Sequence, residues 1–212
     1  MPPLNAVLKE AFKELQEKDR VREELIRLSR DIGRLVRSSI NLVHQGKEKD
    51  AHKLLNEAKE LLDRIRNIAI NYPDLMYSGL LFMVYQEFAE AMIFSSIVSS
   101  QDIPSHKELG IPVAPYLNGV ADVIGELRRM ILDKIRIDKL DEAIKLFKIM
   151  EDLYLALREF DFPDALTPGL RRRCDIARHV VESTRTELLN ATLNKRLHDL
   201  MVRLLESLKE KV

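Results

Sequence analysis

Long stretches of this chain contain neither glycine nor proline. The 212 residues include 7 glycines and 8 prolines, and these cluster instead of being spread evenly. Between the clusters, apolar residues recur at three- and four-residue spacing, which is the period of one helix face, and no segment alternates convincingly with period two. The chain is therefore expected to be all-α: a single-domain bundle of about seven helices over residues 1–212. Its short links favour antiparallel neighbours. No internal repeat or low-complexity tract interrupts the pattern.

The spacing predicts a first helix from about Pro3 to Val43, with a kink or break near Lys18–Arg20 because of its length. A second is expected from about Glu48 to Asn71, stopped or restarted by Pro73. The third, about Leu75 to Val98, is so apolar that burial on most sides follows. Ser99 to Pro112 reads as a surface loop, holding Pro104, Gly110 and Pro112. A fourth helix is expected over about Pro115 to Ile135. A fifth follows over Leu140 to Phe160, with Asp138 as its N-cap. After a turn-rich link come a sixth helix, about Leu170 to Asn190, and a short amphipathic last one, about Leu193 to Leu208.

Composition narrows the functional classes. Hydrophobic content is 46% and charged content 32%, a globular balance, too apolar for disorder and too charged for a membrane span. No basic stretch followed by an apolar block opens the chain, so no signal peptide is expected. The one cysteine, Cys174, cannot form an internal disulfide, which suits a reducing, cytoplasmic setting. Net charge is zero, against a simple basic surface binder, although cations gathered on one face remain compatible with it. With no tryptophan and few aromatics, an open base-stacking platform is not expected.

The most informative residues are acids in helices that should be apolar. Glu87 and Glu90 lie three apart in the third helix; Asp122 and Glu126 lie four apart in the fourth. Each pair projects from one helix face. Burying like charges costs several kcal/mol unless something neutralises them. If the two helices pack side by side, four carboxylates converge on a cation, and an oxygen-only donor set favours Mg²⁺ or Mn²⁺ (or Ca²⁺) over zinc. A hard divalent ion can activate water and neutralise phosphate charge, the chemistry of phosphodiester hydrolysis. The alternative is structural: acids paired with arginines such as Arg128 or Arg129. A ferritin-like di-iron site would want Glu-x-x-His pairs, which are absent.

Residues 85–91 (YQEFAEA) resemble the glutamate motif of translin-associated factor X. Residues 116–130 (YLNGVADVIGELRRM) resemble the most distinctive helix of the translin / translin-associated factor X family. Residues 27–32 (RLSRDI) and 170–173 (LRRR) match further, in family order, so the resemblance covers nearly the whole chain. It implies a translin-like fold assembling into a hollow oligomer, an octamer. It also implies the catalytic branch of the family, in which Glu87, Glu90 and Asp122 match the catalytic, metal-binding acids, and Glu126 the acid one turn on. The compact insert, about Ser99–Ala114, looks like prokaryotic, archaeal members, which implies a homo-octamer with the acids lining its cavity. Arg128 departs from the family pattern, standing where a non-basic residue is usual.

The combined expectation is a Mg²⁺-dependent endoribonuclease acting on single-stranded or nicked RNA, with single-stranded DNA as a second candidate strand. Hydrolysis would leave 5′-phosphate and 3′-hydroxyl ends. Arg128, Arg129, Arg171, Arg172 and Arg173 are candidate phosphate contacts, since arginine presents a planar, bidentate fork. Arg171–Arg173 open a helix, where positive charge fits the dipole poorly; that conflict points to function, whereas most arginines merely solvate helices. The histidines show no ligand spacing; His106 reads as an exposed loop residue and Cys174 as core. Rival readings are a non-catalytic, translin-like nucleic-acid-binding scaffold and a structural assembly protein whose acids pair with arginines.

Overall fold

The computed structural model describes residues 4–76 and 79–209, and every regular element in them is an α-helix. Their order is α1 (Leu4–His44), α2 (Glu48–Ala69), α3 (Pro73–Met76), α4 (Gly79–Val98), α5 (His106–Leu109), α6 (Val113–Arg136), α7 (Leu140–Leu157) and α8 (Leu170–Lys209). The all-α expectation is met, with eight helices among the described residues in place of about seven. The expected start at Pro3 lies outside the described residues, as do the ends of the 1–212 range. The chain divides into two compact units, Met1–Gly119 and Val120–Val212, with the division inside the continuous helix α6.

In the first unit, α1 packs along α2 and α4, and α2 along α4. Leu25, Leu28, Ile32 and Val36 of α1 meet this core, with Leu55, Leu62 and Ile65 from α2 and Phe88 and Phe94 from α4. The expected kink or break near Lys18–Arg20 does not interrupt the helix: α1 is one α-helix from Leu4 to His44. Charge pairing supports it there, with Lys18 beside Glu14 at 3.5 Å and Asp74 at 3.5 Å, and Arg22 beside Asp19 at 3.6 Å. Helix α4 is apolar enough by length and composition to cross a membrane, yet 67% of that stretch is buried, as in a core helix. Within the helix expected from Leu75, the described residues show α3 up to Met76 and α4 from Gly79, and residues 77–78 lie outside the described residues.

The expected surface loop contains the one-turn α5, held by a capping box. Ser105 Oγ accepts from the Glu108 backbone N–H at 3.3 Å, and Glu108 Oε2 accepts from the Ser105 N–H at 2.7 Å. Gly110, at φ +68°, ends the turn in a left-handed conformation that favours glycine. His106 is half-buried, not exposed: its ring lies 6.0 Å from the Tyr116 ring.

In the second unit, α7 packs along α8. Asp138 is not the cap of α7. It adopts φ +59°, a turn conformation, and Lys139 occupies the cap position without a side-chain hydrogen bond. Glu142 fastens this turn by pairing with Lys134 and with Lys139, the latter at 2.8 Å. The two ammonium groups draw the Glu142 carboxyl down from 4.5 to about 2. A depressed carboxyl stabilises the fold above its ordinary pKa and loses that contribution as pH falls through its folded value. Denaturation between pH 4.5 and 2 should therefore show a loss of stability that Glu142→Gln lacks. Equal slopes in wild type and variant over that range would remove Glu142 as the cause.

The two helices expected after residue 170 are one, α8. Asn190–Leu193 holds no glycine or proline to break it, and Thr192 Oγ1 donates back to the Leu188 carbonyl at 2.8 Å. The apolar side of its distal half is exposed: Leu197 at 58%, Leu200 at 61% and Leu204 at 62%. Cys174, expected in the core, is half-exposed, and partial burial raises its thiol pKa.

Candidate functional site

Glu87 and Glu90 stand on α4 in the first unit, one turn apart, and both are half-buried. Full burial among apolar neighbours was the expectation. Phe88 and Ala89 between them are fully enclosed, so the acids edge out of the core instead of entering it. Glu87 has a cationic neighbour from α1: Arg37 Nη1 lies 3.5 Å from its Oε2. Gly33, one turn before Arg37, makes room for this contact, since an added Cβ would lie 3.1 Å from the Arg37 guanidinium and 3.4 Å from Glu87 Oε2.

The start of α6 comes against α4 beside these acids. A Cβ on Gly119 would lie 2.8 Å from the Gln86 carbonyl oxygen, 2.8 Å from Ala89 Cβ and 3.0 Å from the Glu90 backbone nitrogen. Only glycine permits the two helices to touch backbone to backbone there. Asn118, next to it, is 2% exposed. This close approach lies at the first turns of α6, within the first unit and before the residues that carry Asp122 and Glu126.

In the second unit, Asp122 and Glu126 lie one turn apart on α6, and both are half-buried. Asp122 accepts a hydrogen bond and ion pair from Arg173 Nη1 at the start of α8. Glu126 faces Arg129 at 4.0 Å, one turn along the same helix. Arg128 points elsewhere: it donates to Ser183 Oγ and Thr184 Oγ1, each at 2.8 Å, and to Glu187 at 2.7 Å. Its guanidinium therefore fastens α6 to α8, which gives the unusual arginine a structural use.

Arg171, Arg172 and Arg173 divide in their surroundings. Arg173 is held on Asp122, Arg172 is exposed, and Arg171 lines a groove with Phe160, Asp164 and Cys174. Sequence reasoning missed Arg37 and the close approach at Gly119. Arg37 gives no local signal, being fifty residues from its partner; Gly119 lies inside the 116–130 motif, but its role depends on tertiary packing.

The donor set suits a hard divalent cation: carboxylates only, in two pairs, each at helical spacing on a regular helix. Among the described residues, no three His, Cys, Asp or Glu side chains are already gathered in a metal-holding group. Arginines instead supply positive charge at Glu87, Asp122 and Glu126.

Known proteins resemble this chain in sequence and in fold. An uncharacterised protein of Methanocaldococcus jannaschii is 39% identical over 187 residues, covering 87% of this chain and 82% of that relative. The structure of AfC3PO in complex with duplex RNA is 34% identical, with a TM-score of 0.81 over 88% of this chain and 97% of that one. The apo-NeC3PO structure is 25% identical, with a TM-score of 0.78 over 90% and 98% of the two chains. The Translin family model matches residues 20–187, a span that contains both acid pairs and the Arg171–Arg173 run. This chain belongs to the Translin family.

Proposed function

We propose that this chain is an RNA-binding endoribonuclease that uses a divalent cation held by Glu87, Glu90, Asp122 and Glu126. The observation that carries the reading is the backbone contact of Gly119 with the Gln86–Glu90 turn. It brings the start of α6 against the acid-bearing turn of α4 within the first unit, and Asp122 follows three residues later in the sequence. RNA as substrate is supported by membership of the Translin family and by likeness to AfC3PO, which has been seen with duplex RNA.

Magnesium, with manganese as a substitute, would neutralise phosphate charge and activate water for attack at phosphorus. The chain's own residues do the rest. Arg37 and Arg173 hold Glu87 and Asp122 in place through charge-assisted contacts. Arg129 and Arg172, both exposed, are available to phosphates of the strand, giving affinity without sequence reading. Cleavage would leave 5′-phosphate and 3′-hydroxyl ends.

A homo-oligomer, an octamer by the family resemblance, belongs to the same proposal. Its support is the distal half of α8, where Leu193, Leu197, Leu200, Leu204 and Leu208 are all more than half exposed. Such a stripe, at helical spacing and facing water, marks an association surface. Leu8, Phe12 and Leu15 make a similar exposed stripe on α1.

The second reading is a translin-like RNA-binding scaffold without catalysis. The pairing of Glu87 with Arg37 and of Asp122 with Arg173 favours it, because arginine can satisfy these acids without metal. Labelled single-stranded and duplex RNAs, incubated with the protein in Mg²⁺ or in EDTA, separate the two. Cutting in Mg²⁺ that EDTA abolishes is the expected result. Binding with no cutting in either condition would leave the scaffold.

A further inference from the structure

Helix α1 carries arginines at 20, 27, 30, 34 and 37. At about 100° per residue these fall within an arc about 100° wide, running for about 25 Å along the helix. All five are exposed. The core residues Leu25, Ile32, Val36 and Val43 occupy the other side of the helix, so the arginine face points away from the packed interior.

Of the acids interspersed along the same face, Glu23 and Glu24 are engaged by arginines outside the row and Asp31 by Arg34 within it. Glu24 pairs with Arg64 of α2 at 2.6 Å, Glu23 with Arg22 at 3.1 Å, and Asp31 with Arg34. Arg20, Arg27 and Arg30 have no salt-bridge partner among the described residues, and they line a shared shallow groove with Ile26 and the paired Glu23 and Glu24. The row ends at Arg37, whose guanidinium reaches Glu87. A line of cationic forks thus leads along one helix to an acid of the proposed cation site, wholly within the first unit.

We propose that this face of α1 is an RNA-backbone track that guides the strand to Glu87. The inference rests on the RNA-binding reading and adds a surface to it. Arginine forks grip phosphate oxygens bidentately, and successive forks spaced by one or two helical turns contact a backbone without reading bases. A membrane surface is a poorer fit, because an interfacial helix needs its apolar face free for lipid, and along the arginine row that face, from Leu25 to Val43, is buried in the core. At the end of the track, Arg37 stands where it can exchange Glu87 for an incoming phosphate.

The test measures anisotropy of fluorescein-labelled RNA, single-stranded and duplex, against the full chain in EDTA over a range of salt. The double variant Arg27→Gln/Arg30→Gln is compared with wild type and with Arg22→Gln. Arg22 lies on a different side of α1, paired with Asp19 and Glu23. The double variant should bind at least about 10-fold more weakly at low salt. Its plot of log affinity against log salt should be shallower by about 1.4–1.8, the share of two phosphate contacts. Arg22→Gln should match wild type. RNA binding by the double variant with wild-type affinity and slope overturns the track and leaves the RNA-binding reading intact. A weaker affinity with an unchanged slope also overturns it, since no phosphate contact would have been lost. Absence of RNA binding by wild type itself overturns both.

Discussion

Glu90→Ala should lose Mg²⁺-dependent RNA cleavage by about 100-fold or more, since even the outer partners of metal ligands cost about 10–100-fold when removed. RNA affinity measured in EDTA should stay within about 2-fold of wild type, because the removed group is an anion and the phosphate contacts are cationic. Glu90 sits half-buried on α4 between Ala89, which is fully enclosed, and Ala91, which is 1% exposed. Truncation there trims a side chain at the margin of the core without opening a cavity in it, so stability should change little. Gel-resolved cleavage of end-labelled RNA checks the rate, anisotropy the affinity and thermal unfolding the fold. Retained cleavage in a folded variant would remove Glu90 from the chemistry, and a matching loss of RNA affinity would show that its role is in binding.

The other large effect lies in backbone packing. Two glycines on α6 should respond to alanine with opposite signs. In an exposed helix interior, glycine to alanine gains about 1 kcal/mol through helix propensity alone. Gly125 is exposed and has nothing within 4 Å of an added Cβ, so Gly125→Ala should gain about that amount. At Gly119 the same methyl would sit 2.8 Å from a carbonyl oxygen and 3.0 Å from a backbone nitrogen of α4, neither of which can move aside alone. Overpacking of this kind costs about 1–3 kcal/mol or more, which outweighs the propensity gain. Gly119→Ala should therefore destabilise by about 1–2 kcal/mol, and the β-branched Gly119→Val by about 3 kcal/mol or more. Cleavage should fall in both, as α6 is pushed away from the turn bearing Glu87 and Glu90. Urea unfolding of the three variants checks the order. A stabilised Gly119→Ala would mean that α4 and α6 do not touch in solution as they do here.

Much of the fold could be read from the chain because helices announce themselves through local periodicity. Helices α2, α6 and α7 begin and end within a few residues of the positions their apolar spacing gave. The misses lie where a boundary depends on something other than that stripe. The polar stretch around Asn190 interrupts the apolar pattern of α8 but breaks no hydrogen bond, so one helix was read as two. Asp138 is a favoured capping residue type, yet the turn places it at φ +59° and passes the cap to Lys139. The single turn α5 is too short for periodicity, and its Ser105–Glu108 capping box was the available signal.

The candidate site was legible by residue type more than by surroundings. Two acid pairs in apolar helices stand out in the sequence, and both are half-buried at one-turn spacing. Their arginine partners could not be read, because Arg37 and Arg173 are fifty or more residues away in the chain. Arg128 illustrates the converse. Its nearness to the acids suggested phosphate binding, while its contacts with Ser183, Thr184 and Glu187 show an interhelical clamp.

Manganese titration followed by electron paramagnetic resonance tests most directly whether carboxylates from α4 and α6 hold a common cation. Wild type should bind Mn²⁺ saturably at one or more sites per chain, and both Glu90→Gln and Asp122→Asn should weaken that binding by at least about 10-fold, as expected on losing a charged ligand. Tight binding untouched by Asp122→Asn, or no saturable binding to the folded wild type, would contradict a shared site.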